Sequence, residues 1–255
     1  SDFMDITPDK QRMDSLMVAA NIRNLSLLEL FYTCVANLCK IMDGRGTKIA
    51  DEQHHYIEKD DYNKCIYHKR DMDATERTVI VMKDADILIE ICNSTGDFDD
   101  TSEYQLLIRL LKERTIIDDD GSRRLRQKEE VENPSEVLLN PSDPEATFRY
   151  KAGGKHLGYV GNVVEAVGEK SSLVIDYDYQ QNTYADNQFM KDYLNRNKQF
   201  SDGSFIVADG AYSGEKNSHL ASEHNLRLVT TNFTGRKPHA NVKTVHTKNA
   251  VIHDF

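Results

Sequence analysis

Val207-Ala208-Asp209-Gly210-Ala211-Tyr212-Ser213-Gly214 is the stretch that decides how this 255-residue chain is read. Phe205-Ile206-Val207-Ala208 is a short apolar strand that ends on a carboxylate, and glycines and a helix follow at once. An aspartate in that place is held on rigid backbone at the rim of a sheet, where it can meet a metal ion and a substrate phosphate. Met13-Asp14-Ser15-Leu16-Met17-Val18-Ala19-Ala20-Asn21 is a second strand-like run with an aspartate inside it. Two acids from distant parts of the chain, each on a strand, are what a nuclease-type metal site requires.

Working outward, residues 8–19 alternate as a strand and the pattern turns helical from Ser26. Ser26 and Glu29 have capping-box spacing, and Leu25 and Leu30 occupy the staple positions. Leu28, Phe31, Tyr32, Val35, Leu38, Cys39 and Met42 then recur at helical steps until Gly44. Further helices are expected over about 73–92 and 102–115, the latter with the stripe Tyr104, Leu107, Ile108 and Leu111. Asp118-Asp119-Asp120-Gly121 and the charge run 123–132 read as a solvated turn and arm. Past Asn140-Pro141 the texture changes. Residues 157–167 and 173–179 form a hairpin, 186–196 a helix, 205–208 a strand, 215–224 a helix and 226–231 a strand. That order implies an α/β layer with parallel strands and right-handed crossovers. The helical stretch lies between the first strand and its partners, so it reads as an insertion.

The net charge is −10. Residues 141–255 hold 13 basic and 13 acidic residues, so 19 of the 32 basic and 29 of the 42 acidic residues, and the whole −10, fall in 1–140. Phosphate binding needs local positive charge, and the acidic part is unsuited to gripping DNA. Cys34, Cys39, Cys65 and Cys92 include no Cys-x-x-Cys pair, and with His54, His55 and His68 they fit no zinc spacing. They read as reduced thiols of an intracellular protein, packed as small apolar groups. No apolar run approaches the ~20 residues of a membrane helix.

Five blocks of the chain resemble, in order, those of DDE transposases of bacterial insertion sequences, which have a ribonuclease H-like core. They are Asp14-Ser15-Leu16-Met17-Val18-Ala19-Ala20-Asn21, Asn140-Pro141-Ser142-Asp143-Pro144-Glu145-Ala146, Gly154-Lys155-His156-Leu157-Gly158-Tyr159, Asn182-Thr183-Tyr184-Ala185-Asp186 and Ala208-Asp209-Gly210-Ala211-Tyr212. The first departs from the family in having Leu16 where a threonine is usual. The resemblance implies an α/β fold with a ribonuclease H-like core and a large helical insertion. Residues 1–21 would supply the first strand, 22–138 the insertion and 139–255 the rest of the core. It further implies cleavage and transfer of double-stranded DNA at element ends with Mg²⁺ or Mn²⁺, in the bacterial cytoplasm, and is compatible with a homodimer.

Asp14 and Asp209 are then the metal ligands, carboxylates being the hard oxygen donors Mg²⁺ prefers. Asp143 is the rival for the first position, read as a residue beside the site or as the opening of an Asp-Pro turn. Lys151, Lys155 and His156 are read equally as DNA phosphate contacts and as solvated side chains beside a turn. Arg236, Lys237, His239, Lys243, His246 and Lys248 suit a DNA contact that follows the last strand, and equally a solvated end. The family's third acid is a glutamate on a later helix. Glu215 and Glu223 read as surface residues, so the chain is expected to stop short of that acid and to be inactive alone. Two other readings stay open: a non-catalytic helical interaction module, and a standalone metal-dependent nuclease of the same fold.

Overall fold

The structure is a computed structural model and describes residues 6–68, 72–151, 153–197 and 199–231. In chain order the elements are β1 (Lys10–Ala19), α1 (Leu27–Gly44), α2 (Asp61–Asn63), α3 (Ala74–Thr95), α4 (Ser102–Arg114), β2 (Thr115–Ile117), β3 (Arg123–Leu125), β4 (Thr147–Lys151), β5 (Gly154–Val167), β6 (Ser172–Gln181), α5 (Asp186–Arg196), β7 (Phe205–Ala208), α6 (Glu215–Glu223) and β8 (Arg227–Thr230). A 3₁₀ turn over Asp51–Ile57 and a wide π turn over Lys64–His68 flank α2. The class is mixed α/β. Two compact units divide the chain. One comprises the described residues up to Val18, then Val160–Gln180 and those from Tyr184 on; the other is Ala19–Tyr159 with Gln181–Thr183.

The first unit is built on a sheet in the order β6-β5-β1-β7-β8. β7 lies parallel to both β1 and β8, with Met13 opposite Ala208 and Ala208 opposite Thr230. Strand period decides which side chains enter the core: Gln11 and Met13 are buried while Arg12 and Asp14 face out. Met13, Val160, Val164 and Ile206 meet Phe189, Met190, Tyr193 and Leu194 of α5 in one apolar cluster. Burying a side chain of this size contributes roughly 1.5–3 kcal/mol. Gln11 is only 3% exposed, and accepts from the Tyr193 hydroxyl at 2.7 Å while donating to the Pro8 carbonyl at 2.7 Å. On β6, Asp176 and Asp178 receive the Arg196 guanidinium at 3.2 and 2.8 Å, which fixes the last turn of α5.

The second unit is mostly helical. Its core is formed by Phe31, Val35, Leu38 and Met42 of α1, with Met82, Ala85 and Leu88 of α3 and Leu107, Leu110 and Leu111 of α4. The α1 capping box is present: the Ser26 hydroxyl accepts from the Glu29 N–H at 3.3 Å and the Glu29 carboxylate from the Ser26 N–H at 2.8 Å. Leu30 is buried and Leu25 packs on the same core, as the staple spacing predicts. A second box, Asp73 with Glu76, starts α3, which runs beyond the expected residue 92 to Thr95, where Gly96 at φ 70° takes the left-handed cap.

Glu29 does more than cap. It also accepts from Arg23 at 2.8 Å, from Tyr62 at 2.8 Å and from Tyr67 at 3.2 Å. Burial acts to raise its carboxyl, yet the Ser26 N–H and the Tyr62 hydroxyl, with Arg23, prevail and hold it down at about 2.

One expectation needs correcting. The charge run from Arg123 is not simply a solvated arm, because Arg123–Leu125 forms β3 and pairs antiparallel with β2 around the Asp118–Gly121 turn. Its charges are matched, Arg123 meeting Asp86 at 2.8 Å and Arg124 meeting Glu130 at 2.8 Å. β4, which the sequence pattern does not predict, pairs antiparallel with the start of β5 from Thr147 opposite Gly158 to Lys151 opposite Gly154. The buried Asn182 amide fastens this pair by donating to the Thr147 carbonyl at 3.2 Å and the His156 carbonyl at 3.1 Å. Among the described residues no helix is long and apolar enough to cross a membrane.

Candidate active site

Parallel register pairs the two residues that precede a pair of acids. β1 and β7 are aligned through Met13 opposite Ala208, so the next residue on each chain is an aspartate, Asp14 and Asp209. Met13 and Ala208 point into the core and both aspartates are exposed. Asp209 turns out of the strand direction, and its Oδ1 accepts from the Ala211 N–H at 2.7 Å, capping a single 3₁₀ turn over Gly210–Tyr212. The Asp14 Oδ1 accepts from the Ser15 N–H at 2.8 Å. Each carboxylate is thus anchored to backbone by one oxygen, and among the described residues the second oxygen makes no hydrogen bond.

Tyr212 lies beneath them, 1% exposed. Its hydroxyl donates to the Asn162 Oδ1 at 2.8 Å, and its carbonyl accepts from the Asn217 amide at 3.0 Å. The Asn217 amide also bonds the Asn187 carbonyl at 2.8 Å, tying the turn after β7 to the first turn of α5. Burial, and then the negative fields of Asp186, Asp14 and Asp209, hold the Tyr212 hydroxyl well above the usual tyrosine range, while a hydrogen bond with Ser15 pulls the other way. Three carboxylates therefore act on one buried hydroxyl. Asp186 is the buried first residue of α5. Asn162, 1% exposed, keeps a buried Nδ2 that has no hydrogen-bond partner among the described residues.

The other sequence candidates fall elsewhere. Asp143 belongs to the helical unit, half-buried, where its carboxylate accepts from the Tyr159 hydroxyl. Its backbone sits in a turn organised by Asn140: the Asn140 Oδ1 accepts from the Ser142 N–H at 2.9 Å and its amide donates to the Arg23 carbonyl at 3.0 Å. Lys151, Lys155 and His156 lie exposed on the β4–β5 hairpin of that same unit. The Lys155 ammonium stands 4.2 Å over the Phe148 ring, and the His156 Nε2 is 3.3 Å from the Lys151 carbonyl. Arg236 and Lys237, with the rest of the basic tail, lie outside the described residues. Glu215 and Glu223 are exposed on α6.

Tyr212 and Asp186 stand inside sequence blocks that drew attention for their aspartates, but spacing alone does not say that they meet. Ser15 likewise stands inside such a block, whereas Asn162 carried no signal. Cys34, Cys39 and Cys92 are buried, and burial pushes their thiols up to about 12, about 12 and about 11. Cys65 differs: it is half-buried and beside Asp61. Comparison of the chain with protein-family models, with curated proteins and with solved structures returned no match.

Proposed function

We propose that this chain carries the paired catalytic aspartates of a DDE transposase of bacterial insertion sequences, acting on double-stranded DNA with Mg²⁺ or Mn²⁺. The observation that carries the reading is the parallel register of β1 on β7, which pairs Met13 with Ala208, the residues just before Asp14 and Asp209. The sheet order β6-β5-β1-β7-β8, with helices crossing between the last three strands in sequence, supports a ribonuclease H-like core. The helical unit entered after β1 is the insertion of that core.

The donor set fits a hard divalent cation. Two exposed carboxylates, each with one oxygen held by backbone and the other uncommitted, offer oxygen ligands without thiol or imidazole competition. Bound there, such an ion would supply activation of the attacking oxygen and charge relief at the leaving oxygen of a phosphodiester. The protein's own part is positional. Backbone hydrogen bonds to each Oδ1 fix the carboxylates, and the Tyr212–Asn162 hydrogen bond, with Asn217 below, holds the turn that carries Asp209. The neutral Tyr212 adds no charge of its own to a site already rich in negative charge.

Electron paramagnetic resonance titration with Mn²⁺ tests the proposal. Unmodified protein should bind the ion, and Asp14→Asn and Asp209→Asn should each weaken binding by at least about tenfold, since removing one of few charged ligands costs more than ~1.4 kcal/mol. Equal Mn²⁺ affinity in all three proteins would sink it.

A further inference from the structure

We propose that His55, Asp61 and Cys65 form a second metal site, a Zn²⁺-type centre in the helical unit that is separate in place and in chemistry from the aspartate pair. The three residues come from three short turns: the 3₁₀ turn Asp51–Ile57, α2 and the π turn Lys64–His68. One ligand atom from each lies within 4.8 Å of the others. The His55 Nδ1 is 2.8 Å from the Asp61 Oδ2, and the Cys65 Sγ is 3.4 and 3.6 Å from the two Asp61 oxygens.

The two edges that meet at Asp61 are close to what a tetrahedral ion imposes, and the third, from the His55 nitrogen to the Cys65 sulfur, is no longer than 4.8 Å. Bonds of ~2.0 Å to nitrogen and oxygen and ~2.3 Å to sulfur place ligand atoms about 3.3–3.6 Å apart. The sulfur–oxygen edge already has that length, and the nitrogen–oxygen edge needs to open by about half an ångström. Solvent reaches the imidazole, which is 36% exposed, while the Asp61 side chain is 7% exposed, so a water can complete the coordination from the His55 side. A mixed imidazole, thiolate and carboxylate set selects zinc-like ions over Mg²⁺, which prefers oxygen alone.

Charge gives an independent argument. Asp61 is a buried carboxylate, and among the described residues its ion pair is with the His55 imidazole at 2.8 Å, which carries charge only when protonated. Burying a carboxylate without a matching charge is costly. With a divalent ion, one carboxylate and one thiolate sum to zero; binding requires that the Cys65 sulfur lose its proton to solvent and that the neutral His55 imidazole carry its single proton on Nε2, so that Nδ1 is free to ligate. The surroundings are built to hold the ligands. The Tyr32 hydroxyl donates to the Asp61 Oδ2 at 2.6 Å, the outer hydrogen bond that a ligating carboxylate commonly receives. The Tyr56 ring lies 4.1 Å from the His55 ring, and Arg77 donates to the Cys65 and Ile66 carbonyls, each at 2.9 Å, pinning the π turn. A wide turn of this kind inside helical backbone is a frequent mark of a functional position.

The test uses the 255-residue chain stripped of metal and titrated with Co²⁺, a spectroscopic stand-in for zinc. One equivalent should raise a sulfur-to-cobalt charge-transfer band in the near ultraviolet together with visible bands of tetrahedral intensity. Zn²⁺ should abolish both, and excess Mg²⁺ should not. Cys65→Ser should remove the charge-transfer band, and Tyr32→Phe should weaken affinity about 10–100-fold while keeping the band. No charge-transfer band in the unmodified protein, or a band that survives Cys65→Ser, overturns the proposal and leaves a hydrogen-bonded triad. Should Cys65→Ser fail to fold, alkylation of Cys65 in unmodified protein decides instead. Zn²⁺ should protect that thiol and a chelator should expose it; equal labelling with and without Zn²⁺ overturns the site.

Discussion

Replacing Glu29 by glutamine isolates how much of the helical unit's stability comes from one charge. Glutamine retains an acceptor for the Ser26 N–H, so the capping box survives in neutral form. What is lost is the carboxylate that meets Arg23, Tyr62 and Tyr67. The group is well shielded, its side chain being 12% exposed. Its carboxyl sits at about 2 in the folded protein against 4.5 for an ordinary glutamate. At ~1.36 kcal/mol per unit, that difference corresponds to at most about 3 kcal/mol near pH 7. The sign follows from a depressed carboxyl. Its contribution is full above pH 4.5, declines as pH falls and is gone below about 2. Near pH 3 roughly 1 kcal/mol should remain. Urea unfolding of both proteins at pH 7 and pH 3, followed by far-ultraviolet circular dichroism, reads the effect. Glu29→Gln should cost about 1.5–3 kcal/mol at pH 7 and less than half of that, about 0.5–1.4 kcal/mol, at pH 3. A cost that is the same at both values, or absent at pH 7, refutes the electrostatic account of this cap.

Other outcomes follow from the same packing and charges. Leu38→Ala empties a fully buried position in the helical core and should cost about 2–5 kcal/mol in urea unfolding, against almost nothing for the exposed Lys40→Ala. Asp14→Asn relieves repulsion beside Asp209, so in metal-free, low-salt buffer it should leave stability unchanged or raise it by up to about 1 kcal/mol, a sign that a purely structural aspartate would reverse. Lys151→Gln with Lys155→Gln should lower affinity for duplex DNA and flatten the log–log salt dependence by about 1–2 units, as expected for one or two lost phosphate contacts. An unchanged slope would assign both lysines to solvent.

Local pattern explains which parts were legible in the sequence. The 18-residue α1 was readable because its cap, its three- and four-residue apolar steps and its terminal glycine agree. α5 and β7 fall where periodicity set them, at Asp186–Arg196 and Phe205–Ala208. β4 was not readable, since Thr147-Phe148-Arg149-Tyr150-Lys151 becomes a strand through its partner β5 rather than through alternation of its own. β2 and β3, three residues each, are too short to show a period. The site was legible only in part. Asp14 and Asp209 drew attention as acids on strands, but their neighbours Asn162 and Asp186 join through tertiary contacts about Tyr212 that no spacing encodes. The His55, Asp61 and Cys65 cluster escaped for a related reason. Zinc patterns assume ligands on regular hairpins or helices, whereas here a 3₁₀ turn, a three-residue helix and a π turn set the positions.

Iron-directed backbone cleavage tests the central claim most directly. Fe²⁺ with ascorbate and peroxide releases hydroxyl radicals at the place where a divalent ion binds, and the cut positions report which segments surround it. If Asp14 and Asp209 share an ion, cuts should appear together near residues 14 and 209, fade with added Mg²⁺ and vanish in an Asp14→Asn, Asp209→Asn double variant. Cleavage at only one of the two strands, or cuts at both that persist in the double variant, would contradict the account.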